Sequence, residues 1–169
     1  MTDIKKKCKK LALISVITAL CMIISYVEFL FPFSFAVPGI KLGLSNIVVL
    51  FSLVCLGKKE AFVILFLKIA LNSLLFTGIS SFLFSFMGGV LSFLIMVILH
   101  KLRFFSVIGI SAAGGVFHNI GQLVAASIVT KSLAVFYYFP VLLIVGTITG
   151  TLTGFICSLL IKKINIFVK

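Results

Sequence analysis

Three polar side chains lie close together near the middle of a long apolar run, residues 104–130: His118, Asn119 and Gln122. An imidazole can accept or donate a proton, and the two amides can both donate and accept hydrogen bonds. Hydrocarbon solvates such groups poorly, so at membrane depth they normally face a bundle interior or a cavity and indicate a functional site. Two interpretations are open, since the groups either cross-link helices or form a polar face that binds a ligand. We favour the binding face.

The elements that position these groups are expected to be membrane helices. The chain has 169 residues, of which 62% are hydrophobic and only 11% are charged. A soluble domain is nearer half apolar and a quarter charged. The composition therefore excludes an ordinary soluble protein and indicates a single integral membrane domain over residues 1–169, surrounded by the lipid bilayer.

Alternating apolar and polar segments predict an all-α bundle of six transmembrane helices. A cationic tail, residues 1–10, precedes spans at about residues 11–30, 41–56, 61–76, 80–99, 105–130 and 138–161. The second span is short for a bilayer, and a short hydrophobic segment is a pointer to the binding site of a transporter.

The positive charge predicts how these helices are oriented. Fifteen Lys and Arg residues against three acids give a net charge of +12. Twelve of the fifteen fall in four clusters, at residues 5–10, 58–59, 101–103 and 162–169. Six spans place all four clusters and both termini in the cytoplasm, as the positive-inside rule requires. The clusters lack the interleaved aromatic residues of a nucleic-acid interface, so we expect no nucleic-acid partner.

Polar residues from separate spans are predicted to lie in one layer. At about 1.5 Å per residue from the inner surface, Asn72 and His118 lie about 18 Å deep and Gln122 about 24 Å deep. Asn46, counted downward through about 30 Å of hydrocarbon, reaches about 22 Å. These depths predict a pocket for a small anionic or amphipathic molecule that enters from outside. Its predicted substrate-binding residues are Lys41, Asn46, Lys68, Asn72, His118, Asn119 and Gln122.

Two charged residues near this layer allow more than one interpretation. Lys68 shares a helix face with Asn72, four residues further on, and either faces the pocket or snorkels to the inner surface. Glu28 lies near the outer end of the first span, where it is either solvated at the interface or paired with Lys41.

Small residues predict where helices approach each other closely. The glycines expected to pack helices are Gly88, Gly89, Gly114, Gly115, Gly146, Gly150 and Gly154. Ala12, Ser15 and Ala19 line one side of the first span, where they also suit a close helix contact.

The remaining residues argue against an enzyme. The chain has no phosphate-binding loop, and Asp3 is its one aspartate, whereas Mg²⁺-dependent ionisation of prenyl diphosphates needs clustered carboxylates. The cysteines are scattered, with no CxxC motif and no His at metal-ligand spacing. We therefore predict no catalytic residue, no metal and no cofactor.

Four fragments together resemble a known family. They are residues 38–48 (PGIKLGLSNIV), 85–92 (SFMGGVLS), 109–123 (GISAAGGVFHNIGQL) and 137–143 (YYFPVLL), followed by Gly146 and Gly150. The family is the Gx transporters, small bacterial membrane proteins also labelled heptaprenyl diphosphate synthase component I. Its most specific fragment here is residues 118–122. Lys68 departs from the family's pattern, in which we expect arginine, so the charge is kept but the bidentate fork is lost.

The resemblance implies a multi-pass protein of the bacterial cell membrane. It extends more loosely to the S components of energy-coupling-factor transporters, six-helix proteins that bind a vitamin or similar nutrient. Those proteins dock through small residues of their first helix to a transmembrane partner carrying two ATPases, a role that Ala12, Ser15 and Ala19 would take here. Alternatives are an accessory role in isoprenoid or quinone metabolism, a role in quinone- or flavin-linked extracellular electron transfer, and a purely structural scaffold.

Overall fold

The computed structural model describes residues 3–30 and 43–167, and within them it is all-helical, without strands. The predicted binding residue Lys41 lies outside the described residues. The six α-helices are α1 (Asp3–Leu30), α2 (Asn46–Cys55), α3 (Lys58–Asn72), α4 (Gly78–Leu102), α5 (Val107–Thr130) and α6 (Phe139–Phe167). A π-helical turn, Ser73–Thr77, joins α3 to α4, and a 3-10 helix, Leu133–Tyr138, precedes α6.

Four of the helical segments are long and apolar enough to cross a membrane: Lys7–Leu30, Ser81–Leu102, Val107–Thr130 and Leu133–Lys163. This finding supports a multi-pass membrane protein. Helices α2 and α3 have 10 and 15 residues, and so measure about 15 and 22 Å against about 30 Å of hydrocarbon. Crossings by these two segments, and the cytoplasmic location of the termini, remain predictions.

Glycines bound α2 on both sides and explain why it is short. Gly43 has φ +75° and Gly57 has φ +108°, values that residues with a side chain rarely adopt. The first lies just before the helix and the second just after it, so the chain turns sharply at each end. The turn at Gly57 leads directly into α3, which packs beside α2.

Helix α5 lies between α4 and α6 and approaches both closely. A Cβ atom at Gly121 would lie 2.5 Å from the carbonyl oxygen of Met87 on α4. On the other side, a Cβ at Gly115 would collide with the carbonyl oxygen of Gly146 on α6. Small residues thus let three backbones pack almost in contact, and this packing fixes the depth and direction of the polar side chains on α5.

The other glycines expected at helix contacts also lie against neighbours. A Cβ atom at any of them would come within 2.6–2.9 Å of a neighbouring atom: Gly88, Gly89, Gly114, Gly146, Gly150 and Gly154. The apolar core beside them is built from α2, α3, α4, α5 and α6 and includes Leu50, Leu53, Leu65, Phe93 and Ile110.

The outward faces of the long helices carry exposed apolar side chains, among them Val16 on α1, Leu94 on α4 and Ile148 on α6. A continuous apolar exterior of this kind suits contact with lipid. One end of the bundle, which we call the basic end, carries Lys10 of α1, Lys58 of α3 and Lys101 of α4. At this end Lys10 forms an ion pair with Glu60, which joins the beginnings of α1 and α3.

Candidate functional site

Polar side chains from four helices surround one cavity inside the apolar bundle. We call this set the polar cluster, and its members are Glu28, Asn46, Lys68, Asn72, His118 and Gln122. Five of the seven predicted binding residues are therefore brought together. The cavity is completed by backbone and small side chains at Gly43, Ser45, Ser85 and Gly89 and by Leu65 and Ile69.

Lys68 is buried, with 7% of its surface exposed. Its ammonium nitrogen donates a hydrogen bond of 2.7 Å to the side-chain oxygen of Asn46. Of the two interpretations open from the sequence, the structure therefore shows the inward one, since a snorkelling lysine would place its nitrogen at the surface. A buried charge without hydrogen-bond partners costs several kcal/mol. The hydrogen bond to Asn46 offsets part of this cost and so stabilises the inward position of Lys68.

Asn46 connects this lysine to the imidazole on α5. Its amide nitrogen lies 3.5 Å from Nδ1 of His118, a long contact in which the amide is the donor. This geometry requires His118 to carry its proton on Nε2 when the ring is neutral. Asn46 is the first residue of α2, so movement of that short helix would change the contacts of both Lys68 and His118.

Gln122 is the most buried member of the polar cluster, with 1% of its surface exposed. Neither its amide nitrogen nor its amide oxygen finds a hydrogen-bond partner among the described residues. An unsatisfied buried polar group costs about 1–3 kcal/mol. Natural proteins rarely accept this cost without a water, ion or ligand that supplies the missing bonds.

Glu28 is a member of the polar cluster that the sequence left ambiguous. Its carboxylate accepts a hydrogen bond of 2.6 Å from the backbone nitrogen of Gly43, so it is not simply solvated; the alternative partner, Lys41, lies outside the described residues. Gly43 must be a glycine for two reasons. Its φ of +75° disfavours a side chain, and a Cβ atom there would lie 2.8 Å from the amide nitrogen of Asn46.

Little empty space remains inside the polar cluster. The volume open to the centre of a water molecule is about 20 Å³, enough for about one water. A second small space of about 10 Å³ lies on the other side of Asn46 and His118. Its hydroxyl groups include Ser111 and Thr153, whose oxygens are 2.9 Å apart. The predicted outward-opening pocket is therefore not open among the described residues, and a larger ligand requires these helices to separate.

Asn119 lies outside the polar cluster, unlike its neighbour His118. Its amide nitrogen donates a hydrogen bond of 2.7 Å to the carbonyl oxygen of Leu142 on α6. The sequence placed Asn119 among the binding residues, whereas the structure directs it into a contact between helices. Successive residues of a helix point about 100° apart, which explains why two adjacent polar residues face different neighbours.

The small residues of α1 lie on its exposed side. Ala12, Ser15 and Ala19 are all exposed, and the Ser15 hydroxyl donates to the carbonyl oxygen of Leu11 within the same helix. This surface is open to lipid or to a partner helix. The cysteines Cys8, Cys21, Cys55 and Cys157 are free thiols, and Cys21 donates a hydrogen bond of 3.4 Å to the carbonyl oxygen of Ser45.

Comparison with known proteins identifies one family. A family model described as heptaprenyl diphosphate synthase component I matches residues 17–160. The match confirms the resemblance carried by the sequence fragments for that family, while the looser similarity to S components stays a prediction. No curated protein and no solved structure matches the chain.

Proposed function

The chain belongs to the heptaprenyl diphosphate synthase component I family, and we propose that it acts in the membrane as the substrate-binding subunit of a transporter. The observation that carries this proposal is the polar cluster. Six polar side chains from four separate helices, α1, α2, α3 and α5, converge inside an otherwise apolar bundle. Polar and ionisable groups at such depth are expensive and mark binding sites and pathways in membrane proteins.

The charges of the polar cluster define the class of ligand. It holds one basic side chain, Lys68, and one acidic side chain, Glu28, so its formal charge is balanced when His118 is neutral. The amide of Gln122 adds one donor and one acceptor that have no described partner. We therefore favour a small polar molecule with both donor and acceptor groups, such as a zwitterionic or amphipathic nutrient, over a simple anion.

In this proposal Asn46 occupies the position on Lys68 that the ligand takes when it binds. In the closed arrangement its oxygen accepts the Lys68 hydrogen bond at 2.7 Å. The space of about 20 Å³ admits little more than a water molecule. A ligand would enter as α2 moves away, and an anionic or carbonyl oxygen of the ligand would then replace Asn46 as the partner of Lys68. The glycine turns at Gly43 and Gly57 provide backbone freedom at both ends of α2.

The energy for transport is assigned to a partner in this proposal, because the chain has no phosphate-binding loop. The exposed small residues of α1, Ala12, Ser15 and Ala19, are the proposed contact with a transmembrane coupling subunit that carries ATPases. Small residues permit close approach of a partner helix without large side-chain rearrangement.

The test is to identify a small molecule that co-purifies with the protein. The wild-type chain and Lys68→Met would be purified in parallel from bacterial membranes, denatured, and their small-molecule extracts compared by mass spectrometry. We expect one polar compound in near-stoichiometric amount with the wild type and at least about tenfold less with the variant, because loss of a charge-assisted hydrogen bond costs about 1.5–3 kcal/mol.

Asn119→Leu provides the matched control. It also removes a buried polar group of the bundle, but its amide contacts Leu142 rather than the cavity. Retention of the compound by Asn119→Leu and its loss from Lys68→Met would support the proposal. Equal loss from both variants would indicate general misfolding, and no compound in the wild type after addition of a nutrient mixture would contradict the proposal.

The family's name favours a second candidate function. It describes one component of a heptaprenyl diphosphate synthase, which fits a membrane accessory protein for a soluble prenyl synthase. This function predicts that affinity-tagged wild-type chain retains a prenyl synthase through washing, and that prenyl chain length or yield changes when the chain is deleted. It further predicts that Lys68→Met leaves both properties unchanged, whereas the transport function predicts loss of uptake in that variant.

A further inference from the structure

A second cavity lies at the basic end, away from the polar cluster and sharing no residue with it. Its volume is about 320 Å³, and its polar lining is formed by Lys58, His100, Lys101 and Arg103. Leu53 and Val97 form its apolar floor. These residues come from two separate parts of the chain, the beginning of α3 and the end of α4, so the fold brings them together.

The electrostatics of this cavity favour an anion. Helix α3 begins at Lys58, and the positive end of its dipole points toward the same space. His100 and Lys101 lie in the last turn of α4, where they offset the negative end of that helix. Glu60, the acid nearest in sequence, is paired with Lys10. One of its carboxylate oxygens would lie 3.3 Å from a Cβ atom at Gly57, which also lines the cavity, so this acid offsets only part of the positive charge.

Arg103 follows the last residue of α4 and turns the chain away from that helix. Its φ is +57°, a left-handed conformation that is uncommon for a residue other than glycine. Glycine or asparagine would end α4 at this position at lower cost. Arg103 lines the cavity, and guanidinium groups bind phosphate oxygens in a bidentate manner.

Apolar side chains follow directly after this cationic group. Leu102, Phe104 and Phe105 are exposed, Phe104 to 91% of its surface. Together with the apolar lining residues Leu53 and Val97 they form an apolar surface beside the cationic cavity, which we call the flank. A ligand that matches both surfaces has an anionic head and a hydrocarbon tail, and basic pockets between membrane helices bind lipid head groups in this way.

We propose that the cavity at the basic end binds the phosphate head group of an anionic amphiphile, with the tail lying on the flank of Leu102 and Phe104. This site goes beyond the proposed transport function, because it shares no residue with the polar cluster. The ligand is either an anionic phospholipid or a prenyl diphosphate, since both carry phosphate oxygens on an apolar chain.

The test is native mass spectrometry of the full chain in micelles that contain phosphatidylglycerol or phosphatidylcholine. We expect the wild type to retain phosphatidylglycerol and not phosphatidylcholine. Lys101→Gln with Arg103→Gln should weaken phosphatidylglycerol binding about 30-fold, since each lysine or arginine near the surface contributes a factor of about five to six. Lys162→Gln with Lys163→Gln removes the same charge from α6 and should change binding less than about threefold.

Competition distinguishes the sources of the phosphate group. If farnesyl diphosphate displaces phosphatidylglycerol at a concentration below that of the lipid, the site is assigned to a prenyl diphosphate. If phosphatidylglycerol stays bound, the site is assigned to a phospholipid. Both results support an amphiphile. Equal displacement by inorganic pyrophosphate would overturn the proposal, because the tail would then contribute nothing. Equal weakening by the two double variants would also overturn it, since the effect would be one of diffuse surface charge. Lys58→Gln, at the beginning of α3, serves as a second variant should the first pair fail to fold.

Discussion

The ammonium nitrogen of Lys68 on α3 lies 2.7 Å from the side-chain oxygen of Asn46 on α2. The same asparagine places its amide nitrogen 3.5 Å from the imidazole of His118 on α5. One amide at the start of a short helix therefore connects a buried cation to a buried titratable ring. Both contacts depend on the position of α2, which makes this helix the element whose movement would open or close the polar cluster.

The glycine before α2 provides the first prediction. Gly43→Ala places a Cβ atom 2.8 Å from the amide nitrogen of Asn46 and also forces a side chain into a left-handed conformation. Gly78→Ala introduces the same conformational cost at φ +76°, but no atom lies within 4 Å of the new Cβ. We expect Gly78→Ala to lower the free energy of unfolding by about 1 kcal/mol and Gly43→Ala by about 2–4 kcal/mol. Equal losses in thermal unfolding would show that the contact with Asn46 is unimportant.

The contact between α5 and α6 provides the second prediction. In Gly115→Ala the new methyl group collides with the carbonyl oxygen of Gly146, so the helices must separate. Overpacking of this kind costs about 1–3 kcal/mol. Gly109→Ala is the control, since its nearest neighbour would be 3.6 Å away and alanine favours a helix by up to about 1 kcal/mol. The melting temperature should fall in the first variant and stay or rise in the second, and a fall of similar size in both would be inconsistent with this packing.

The unsatisfied amide of Gln122 provides the third prediction. Gln122→Leu removes two buried polar atoms that lack described partners, so we expect stability to rise by about 1–3 kcal/mol while ligand binding is lost. Asn119→Leu removes a comparable amide that is hydrogen-bonded to Leu142, so stability should fall by about 1–3 kcal/mol. Thermal unfolding of the two variants in the same detergent decides the matter. Destabilisation by Gln122→Leu would mean that its amide is structurally satisfied.

The ion pair at the basic end provides the fourth prediction. The hydrogen bond from Lys10 lowers the pKa of the Glu60 carboxyl below its ordinary value of 4.5. The stabilisation is therefore complete above that value and is lost as the pH falls through the lower pKa of the folded state. Glu60→Gln removes the titrating group, so its melting temperature should change less than that of the wild type between pH 6 and about pH 3. Identical pH profiles would show that the pair makes no measurable contribution to stability, which is the case for many exposed ion pairs.

The depth of the polar residues along their helices could be predicted from the sequence, whereas the direction in which their side chains point could not. The fixed rise of 1.5 Å per residue places Asn72, His118 and Gln122 at similar depths, and the structure brings these three around one cavity. Depth says nothing about how a helix is rotated about its axis, and Asn119 was grouped with His118 because the two residues are adjacent in one apolar run. The hydrogen bond from Asn119 to Leu142 depends on how α5 packs against α6, which no local pattern contains.

The length of α2 and the partner of Glu28 could not be predicted because both depend on backbone geometry. The length of α2 follows from the positive-φ glycines on either side of it, whereas the apolar pattern predicted a short span over about residues 41–56. Glu28 was difficult to assign because its partner among the described residues is the backbone nitrogen of Gly43. A carboxylate that binds a backbone group leaves no complementary residue in the sequence to reveal it.

The most direct test of the polar cluster as a binding site is ligand-dependent thermal stabilisation of the purified chain. Wild type, Lys68→Met and Asn119→Leu would be heated with a panel of vitamins, zwitterionic nutrients, flavins, quinone precursors and prenyl phosphates. At about 100 times its dissociation constant a ligand stabilises the folded state by about 2.7 kcal/mol, which corresponds to a rise of about 5 °C or more. We predict such a rise for at least one polar compound in the wild type and in Asn119→Leu, and none in Lys68→Met. A compound that stabilises Lys68→Met as much as the wild type, or a panel in which none stabilises the wild type, would contradict binding at the polar cluster.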